Sequence, residues 1–308
     1  MLDLPDNATY FYEQIVDSMK NLFLILGFVF FFNNAFPQGG KVIESLTFTS
    51  KSGSKMNYSV YLPVDYSTSQ RSYPVVYLLH GYSDDETGWI QFGEANRIAD
   101  KGIAEGKIPP CILIIPDGRL TWYCNSFDGK INWEDTFINE LIPYVEKEYR
   151  IRQKKEYRAI AGLSMGGYGA LKLSMKHTDL FSTCVALSSG TFTDDEIRTK
   201  SDKEFEMYFA GLFGKNLQGE ARLNEAWKAN NPLDLLHSVP LDKLKSVRFW
   251  IDCGDDDFLY IGNSALHVEM RKLGIPHEYR VRDGGHSWGY WRSGLTTGLE
   301  YIGEKFHR

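Results

Sequence analysis

Three groups of residues carry the chemistry open to this sequence. The first is Gly162-Leu163-Ser164-Met165-Gly166, preceded by an apolar run with Ile160 and Ala161 and followed by Gly167, Gly169 and Ala170. An apolar strand, a sharp turn and a helix with serine at the apex make a nucleophile elbow. Such a turn holds the serine in a strained backbone conformation, and neighbours without a Cβ keep clear of the strand and helix. The second group is Asp255-Asp256-Asp257, just after Gly254. Three adjacent carboxylates repel, so only one or two can turn inward. Asp257 is the candidate acid, because the loop must leave its strand before it can reach a histidine; Asp256 is the alternative. The third group is Gly284-Gly285-His286-Ser287-Trp288, in which two glycines free the loop to swing the imidazole over Ser164. A serine nucleophile needs a base to take its proton and an acid to orient that base. Ser164, Asp257 and His286 follow one another in the chain order that a strand-turn-helix nucleophile of this kind uses.

Of the seven histidines, His80 competes with His286 because it too ends a strand, but it precedes both other groups. His80-Gly81-Tyr82 suits a different role. It follows an apolar strand, at the place from which a backbone N–H reaches a developing oxyanion, so Tyr82 and Met165 are the candidate donor pair. Trp89, Trp122, Tyr123, Asn125, Trp288 and Trp291 fall on segments expected at the same rim. Trp89 and Trp288 are the candidates for stacking on a substrate.

The elements that must position these residues alternate along the chain. Val42–Ser50 and Met56–Leu62 alternate apolar and polar residues around the turn Lys51–Ser54, which predicts an antiparallel hairpin at a sheet edge. Pro74–His80, Cys111–Ile115, the run before Ser164, Ser182–Ser188 and Val247–Cys253 are continuous apolar stretches, the mark of strands buried on both faces. Helices are expected over Glu94–Gly106, Asn132–Tyr149, the stretch after Ser164 to Lys176, Gly262–Leu273 and Trp288–Lys305, with a further strand at His277–Val281. The sum is an α/β protein with a mostly parallel sheet flanked by helices on both faces. Ligands of such sheets sit beyond the carboxyl ends of the strands, where all three groups fall. The segment 190–245 interrupts the rhythm with charged stretches and Phe205, Tyr208, Phe209 and Phe213 at helical spacing. It is expected to be a helical insertion that packs on the body, partly caps the site, or does both.

Length and composition bound the rest. The chain has 308 residues, 43% hydrophobic and 14% aromatic, which is ample for one large core. Net charge is −6 and no lysine/arginine run is long enough to track a phosphate backbone, so nucleic acid is not an expected partner. The four cysteines show no Cys-x-x-Cys or Cys/His metal spacing. They are expected as thiols without a catalytic role, although one bridge stays open in an oxidising compartment. Met19-Lys20, the apolar stretch Asn21–Phe32 and the end at Asn33-Asn34-Ala35 form the three parts of a secretory signal, about Met19–Ala35. Residues 1–36 are therefore expected to be an extension plus signal, with Met19 as the possible true start, and 37–308 to be the folded domain. An uncleaved anchor, the only expected membrane contact, is the alternative.

Taken together, His80-Gly81-Tyr82-Ser83, Trp89, Gly162–Gly167, Gly254–Tyr260 and Gly285-His286-Ser287-Trp288 resemble the esterase D / feruloyl esterase group of α/β-hydrolases, from about Lys41 onward. This group takes in carbohydrate esterase family one and tributyrin-type esterases. The resemblance implies the α/β-hydrolase fold and carboxylic ester hydrolysis through an acyl-enzyme, without a cofactor. It assigns Ser164 as nucleophile, His286 as base, Asp257 as its orienter, and Tyr82 and Met165 as oxyanion donors. The expected protein is an exported serine esterase of small acyl or hydroxycinnamoyl esters, such as those on plant polysaccharide. A general short-chain carboxylesterase, an acyltransferase of mycolyltransferase type and an inactive carbohydrate-binding relative are the competing readings.

Overall fold

A computed structural model of the chain describes residues 39–307. The expected signal and anchor, 1–36, lie outside the described residues. Eight strands form one sheet: β1 (Lys41–Thr49), β2 (Lys55–Leu62), β3 (Val75–Leu79), β4 (Ile112–Pro116), β5 (Arg158–Leu163), β6 (Thr183–Leu187), β7 (Arg248–Gly254) and β8 (His277–Arg282). Their spatial order is β1-β2-β4-β3-β5-β6-β7-β8. The β1–β2 hairpin is antiparallel and joins β4 antiparallel, while β4, β3, β5, β6, β7 and β8 run parallel. The α/β-hydrolase arrangement expected from the sequence is thus the one the chain adopts.

Period-two alternation divides the core in two. On β3, Val75, Tyr77 and Leu79 face one layer, while Val76 and Leu78 face the other. The first layer holds helices α2 (Ile142–Glu148), α3 (Met165–Lys176), α6 (Pro232–Ser238) and α7 (Tyr260–Lys272) through residues such as Val145, Leu171, Leu235 and Leu266. The second holds α1 (Ala95–Ala104) and α8 (Trp288–Phe306) through Ala99, Leu295 and Leu299. Every residue of β3, β4, β5 and β6 is buried, which explains their unbroken apolar runs.

Two expectations change in detail. Asn132–Tyr149 is not one regular helix: Trp133–Thr136 is α, Phe137–Leu141 is π, and α2 completes it. Pro143 has no N–H to donate back along the helix, and the wider π turn lies immediately before it. The insertion 190–245 is a set of short helices, among them α4 (Asp194–Thr199) and α5 (Asp202–Tyr208). Both of these begin at capping boxes, Thr193 with Glu196 and Ser201 with Glu204. Its aromatics divide between the two expected roles. Phe205 and Phe213 are buried against the body, whereas Tyr208 and Phe209 also wall the cleft described below. Cys111, Cys124, Cys184 and Cys253 are all free and buried, Cys124 included despite its polar surroundings in sequence. Among the described residues no helix is long and apolar enough to cross a membrane.

Candidate active site

Ser164 stands between β5 and α3 with φ 54° and ψ −120°, a conformation costly for any residue with a side chain. The flanking glycines are there for space. A Cβ on Gly162 would come within 2.3 Å of the Gly166 carbonyl oxygen, and one on Gly166 within 2.3 Å of the Leu79 carbonyl oxygen. Both obstacles are backbone and cannot step aside. The Ser164 peptide is pinned on both sides: its N–H donates to the Leu187 carbonyl at 2.9 Å, and its carbonyl accepts the Gly190 N–H at 2.8 Å.

The three sequence-predicted groups come together. His286 Nε2 lies 2.9 Å from Ser164 Oγ, and His286 Nδ1 lies 3.0 and 3.2 Å from the two Asp257 oxygens. With Nδ1–H donating to the carboxylate, the Nε2 lone pair faces the serine hydroxyl. Asp257 is 1% exposed, while Asp255 and Asp256 point to solvent. Asp255 braces the site from outside. Its carboxylate accepts the Gly284 N–H at 3.0 Å and so ties the acid loop to the histidine loop. Burial by itself would push the Asp257 carboxyl up. Donors from His286, the Leu259 N–H and Ser188 outweigh it and hold the group below the usual carboxylate range.

His80 is wholly buried and engaged through both ring nitrogens. Nδ1 lies 2.7 Å from the Gly81 carbonyl, and Nε2 accepts the Gly118 N–H at 2.7 Å. The Gly81 oxygen also accepts the Asp84 N–H at 3.2 Å. A carbonyl fixed by two donors fixes the opposite end of its peptide, which is the Tyr82 N–H. Among the described residues, neither the Tyr82 nor the Met165 N–H donates to another protein group. Two backbone donors therefore remain unclaimed beside Ser164.

A cleft of about 940 Å³ opens over Ser164. One wall is aromatic: Tyr82, Trp122, Phe192, Tyr208 and Phe209, with Tyr82 edge-on to Tyr208 at 5.0 Å and Trp122 tilted on Phe209 at 5.0 Å. Its outer part is polar, with Glu196, Lys200, Ser201 and Glu204 from α4 and α5 and their junction. Phe258, Trp288 and Trp291 line the side nearer His286. Trp288 is thus at the rim as expected, but Trp89 is not. Its ring is fully buried, its indole N–H donates to the Leu79 carbonyl at 2.8 Å, and it meets Trp288 edge-on at 5.4 Å. Trp89 is a buttress behind the rim, because the turn Gly88–Gln91 directs it inward. Tyr123, also expected at the rim, is buried with its hydroxyl on the His80 carbonyl at 2.7 Å.

Sequence reasoning missed several contributors. Phe258 and Phe192 line the cleft, and only position, next to Asp257 and at the mouth of the insertion, could have suggested them. Lys172 on α3 is wholly buried, donating to the Tyr123 carbonyl at 2.6 Å and to Glu134 at 2.8 Å. It anchors a loop in which Trp122 and Tyr123 both have positive φ, 50° and 59°.

Comparison with known proteins agrees with this architecture. Esterase Rv1288 of Mycobacterium tuberculosis is 30% identical over 255 residues, covering 77% of this chain and 54% of that protein. The endo-1,4-beta-xylanase/feruloyl esterase of Xylanibacter ruminicola is 37% identical over 196 residues, 61% of this chain and 27% of that protein. The chain thus spans about half or less of the length of these relatives. A solved ferulic acid esterase superposes with a TM-score of 0.72 at 31% identity, covering 87% of this chain and 100% of that one. The family model described as "Putative esterase" matches residues 49–302, nearly all of the described body, and the chain belongs to that Esterase family.

Proposed function

We propose that the chain is a serine carboxylic ester hydrolase that works through an acyl-enzyme on small acyl or hydroxycinnamoyl esters. The observation that carries this reading is the unbroken hydrogen-bonded run from Asp257 through His286 to Ser164 Oγ at the floor of the cleft. Ser164 Oγ attacks the ester carbonyl carbon while His286 Nε2 takes its proton. The carbonyl oxygen gains the negative charge and meets the Tyr82 and Met165 N–H groups. Collapse breaks the C–O bond to the alcohol, which leaves with the proton from His286. Water then gives a proton to His286 and attacks the acyl-enzyme, and the second collapse returns the proton to Ser164 and releases the carboxylic acid. Asp257 stays ionised throughout and holds the imidazole in its working tautomer.

The acyl preference rests on the aromatic wall of Trp122, Phe192, Tyr208 and Phe209, which suits a flat ring. The names of the ferulic acid esterase and feruloyl esterase relatives support the same class. The polar outer part suits the hydroxyls of a sugar on the alcohol side. Export is part of this reading, on the strength of the Met19–Ala35 segment; the N-terminal sequence of the protein recovered from outside the cytoplasm tests it.

A matched ester panel tests the activity: p-nitrophenyl acetate, a longer-chain p-nitrophenyl ester, methyl ferulate and acetylated xylan, each with wild type and Ser164→Ala. Wild type is expected to favour methyl ferulate, and Ser164→Ala to lose at least about 10⁴-fold in kcat. Turnover equal in the two proteins rules out Ser164 as nucleophile.

A further inference from the structure

Three carboxylates line the cleft, Asp84, Glu196 and Glu204, and two of them are already in use. Glu196 accepts the N–H and the hydroxyl of Thr193 at 2.8 and 2.9 Å, and Glu204 accepts those of Ser201 at 3.3 and 2.6 Å, which closes the two capping boxes. Asp84 is different. Among the described residues no cation pairs with its carboxylate and no side chain donates to it. Burial pushes this carboxyl above its ordinary range, against the pull of His80 and of the Gly81 backbone. A carboxylate held partly out of water with lone pairs unfilled gains from any hydroxyl delivered to it.

Two glycines make the room that Asp84 occupies. A Cβ on Gly88 would come within 3.1 Å of Asp84 Cβ and 3.4 Å of its Oδ1, and a Cβ on Gly81 within 3.2 Å of its Oδ2. That same Cβ on Gly81 would lie 3.7 Å from Ser164 Cβ, so a single glycine stands between the carboxylate and the serine. The segment carrying Asp84 runs on through Gly88 to Trp89, which meets Trp288 edge-on at 5.4 Å. It thereby backs the side of the cleft nearer His286, away from the insertion that supplies Phe192, Tyr208 and Phe209 to the aromatic wall. In the proposed mechanism His286 hands its proton to the leaving alcohol, so the alcohol portion of the ester lies on that side.

We propose that Asp84 determines specificity on the alcohol side: its carboxylate accepts hydrogen bonds from the hydroxyls of a sugar esterified to the acyl group. This inference deepens the hydrolase reading and rests on it. The test measures kcat/KM of wild type, Asp84→Asn and Asp84→Ala in the full chain on three esters of ferulic acid: methyl ferulate, 5-O-feruloyl arabinose and the choline ester. They share one acyl group and differ only in the alcohol. The readout is the ratio of sugar ester to methyl ester within each protein, which does not depend on how much of that protein is folded. The ratio is expected to fall about 10-fold in Asp84→Ala, the effect of losing an acceptor for a substrate hydroxyl, and by less in Asp84→Asn, whose amide oxygen still accepts. A ratio within twofold of wild type in Asp84→Ala overturns the proposal, as does an equal loss on both esters in Asp84→Asn. A wild-type preference for the choline ester that vanishes in Asp84→Ala assigns the carboxylate to a cation and overturns it too. Wild type that cleaves methyl ferulate but not the sugar ester removes the role of Asp84 and leaves the hydrolase reading standing. Wild type that cleaves neither takes down the hydroxycinnamoyl reading and this proposal with it.

Discussion

Asp257 owes its ionised form to donors packed into a buried site, and that makes its charge a stability term as well as, on the proposed reading, a mechanistic one. Its folded-state pKa lies below the ordinary carboxylate value. A group depressed in this way contributes stability above its unfolded pKa, about 3.9, and the contribution is lost as pH falls through the folded value. Asp257→Asn is therefore expected to be less stable than wild type at pH 7, with the gap closing below about pH 4; urea unfolding at pH 7 and pH 3.5 checks it. A gap that widens in acid contradicts this account. At this scale Ser164 and His286 were legible because glycines mark the turns that carry them, and Asp257 because it lies furthest of the three carboxylates past the strand end, with Asp256 left as the alternative. The outer tie between the two loops, Asp255 accepting the Gly284 N–H, was not, since a partner 29 residues away leaves no local signature.

Elements bring these residues to one place, and some do so through buried charge. Lys172 on α3 and Glu134 before the π turn form a wholly buried pair, joined by Lys176 and His177, each 2.9 Å from Glu134. Burial works against the charge on Glu134, and Lys172, His177 and Lys176 outweigh it to hold the carboxyl well below its usual value. Removing one partner of such a pair leaves a charge without its counterpart in a dry place. Lys172→Met is expected to cost about 3 kcal/mol in denaturant unfolding, toward the low end because Lys176 and His177 still bond to Glu134. It should also weaken methyl ferulate more than acetate hydrolysis, since the loop bearing Trp122 loses its anchor; an equal loss on both esters removes the link to the loop. The strands were readable from continuous apolar runs. The helix containing Lys172 was too, but not the depth of its lysine, because a short motif shows the elbow and not what packs above it. Trp89 misled for a related reason: composition puts tryptophan at rims and in cores alike, and only the turn over Gly88–Gln91 decides which.

Across the whole molecule, oxidation state has little to act on. Burial pushes the thiols of Cys111, Cys184 and Cys253 up to about 12, and that of Cys124 upward as well. Reactivity toward electrophiles follows the thiolate, so native protein at pH 8 is expected to give almost no reaction with a disulfide dye, and unfolded protein to give four equivalents. A fast-reacting thiol in the native state contradicts the burial of all four. The parallel order of the sheet has a different implication. Ser164 follows β5, Gly190, whose N–H pins the Ser164 carbonyl, follows β6, Asp257 follows β7 and His286 follows β8, neighbours in space although Ser164 and His286 are 122 residues apart. No fragment ending before the last strand holds a complete set. On the proposed reading, hydrolysis is therefore a late event in the life of each chain, switched on by the closing of the sheet. On the exported reading, a molecule threading outward through a membrane in extended form carries its nucleophile harmlessly past any ester it meets.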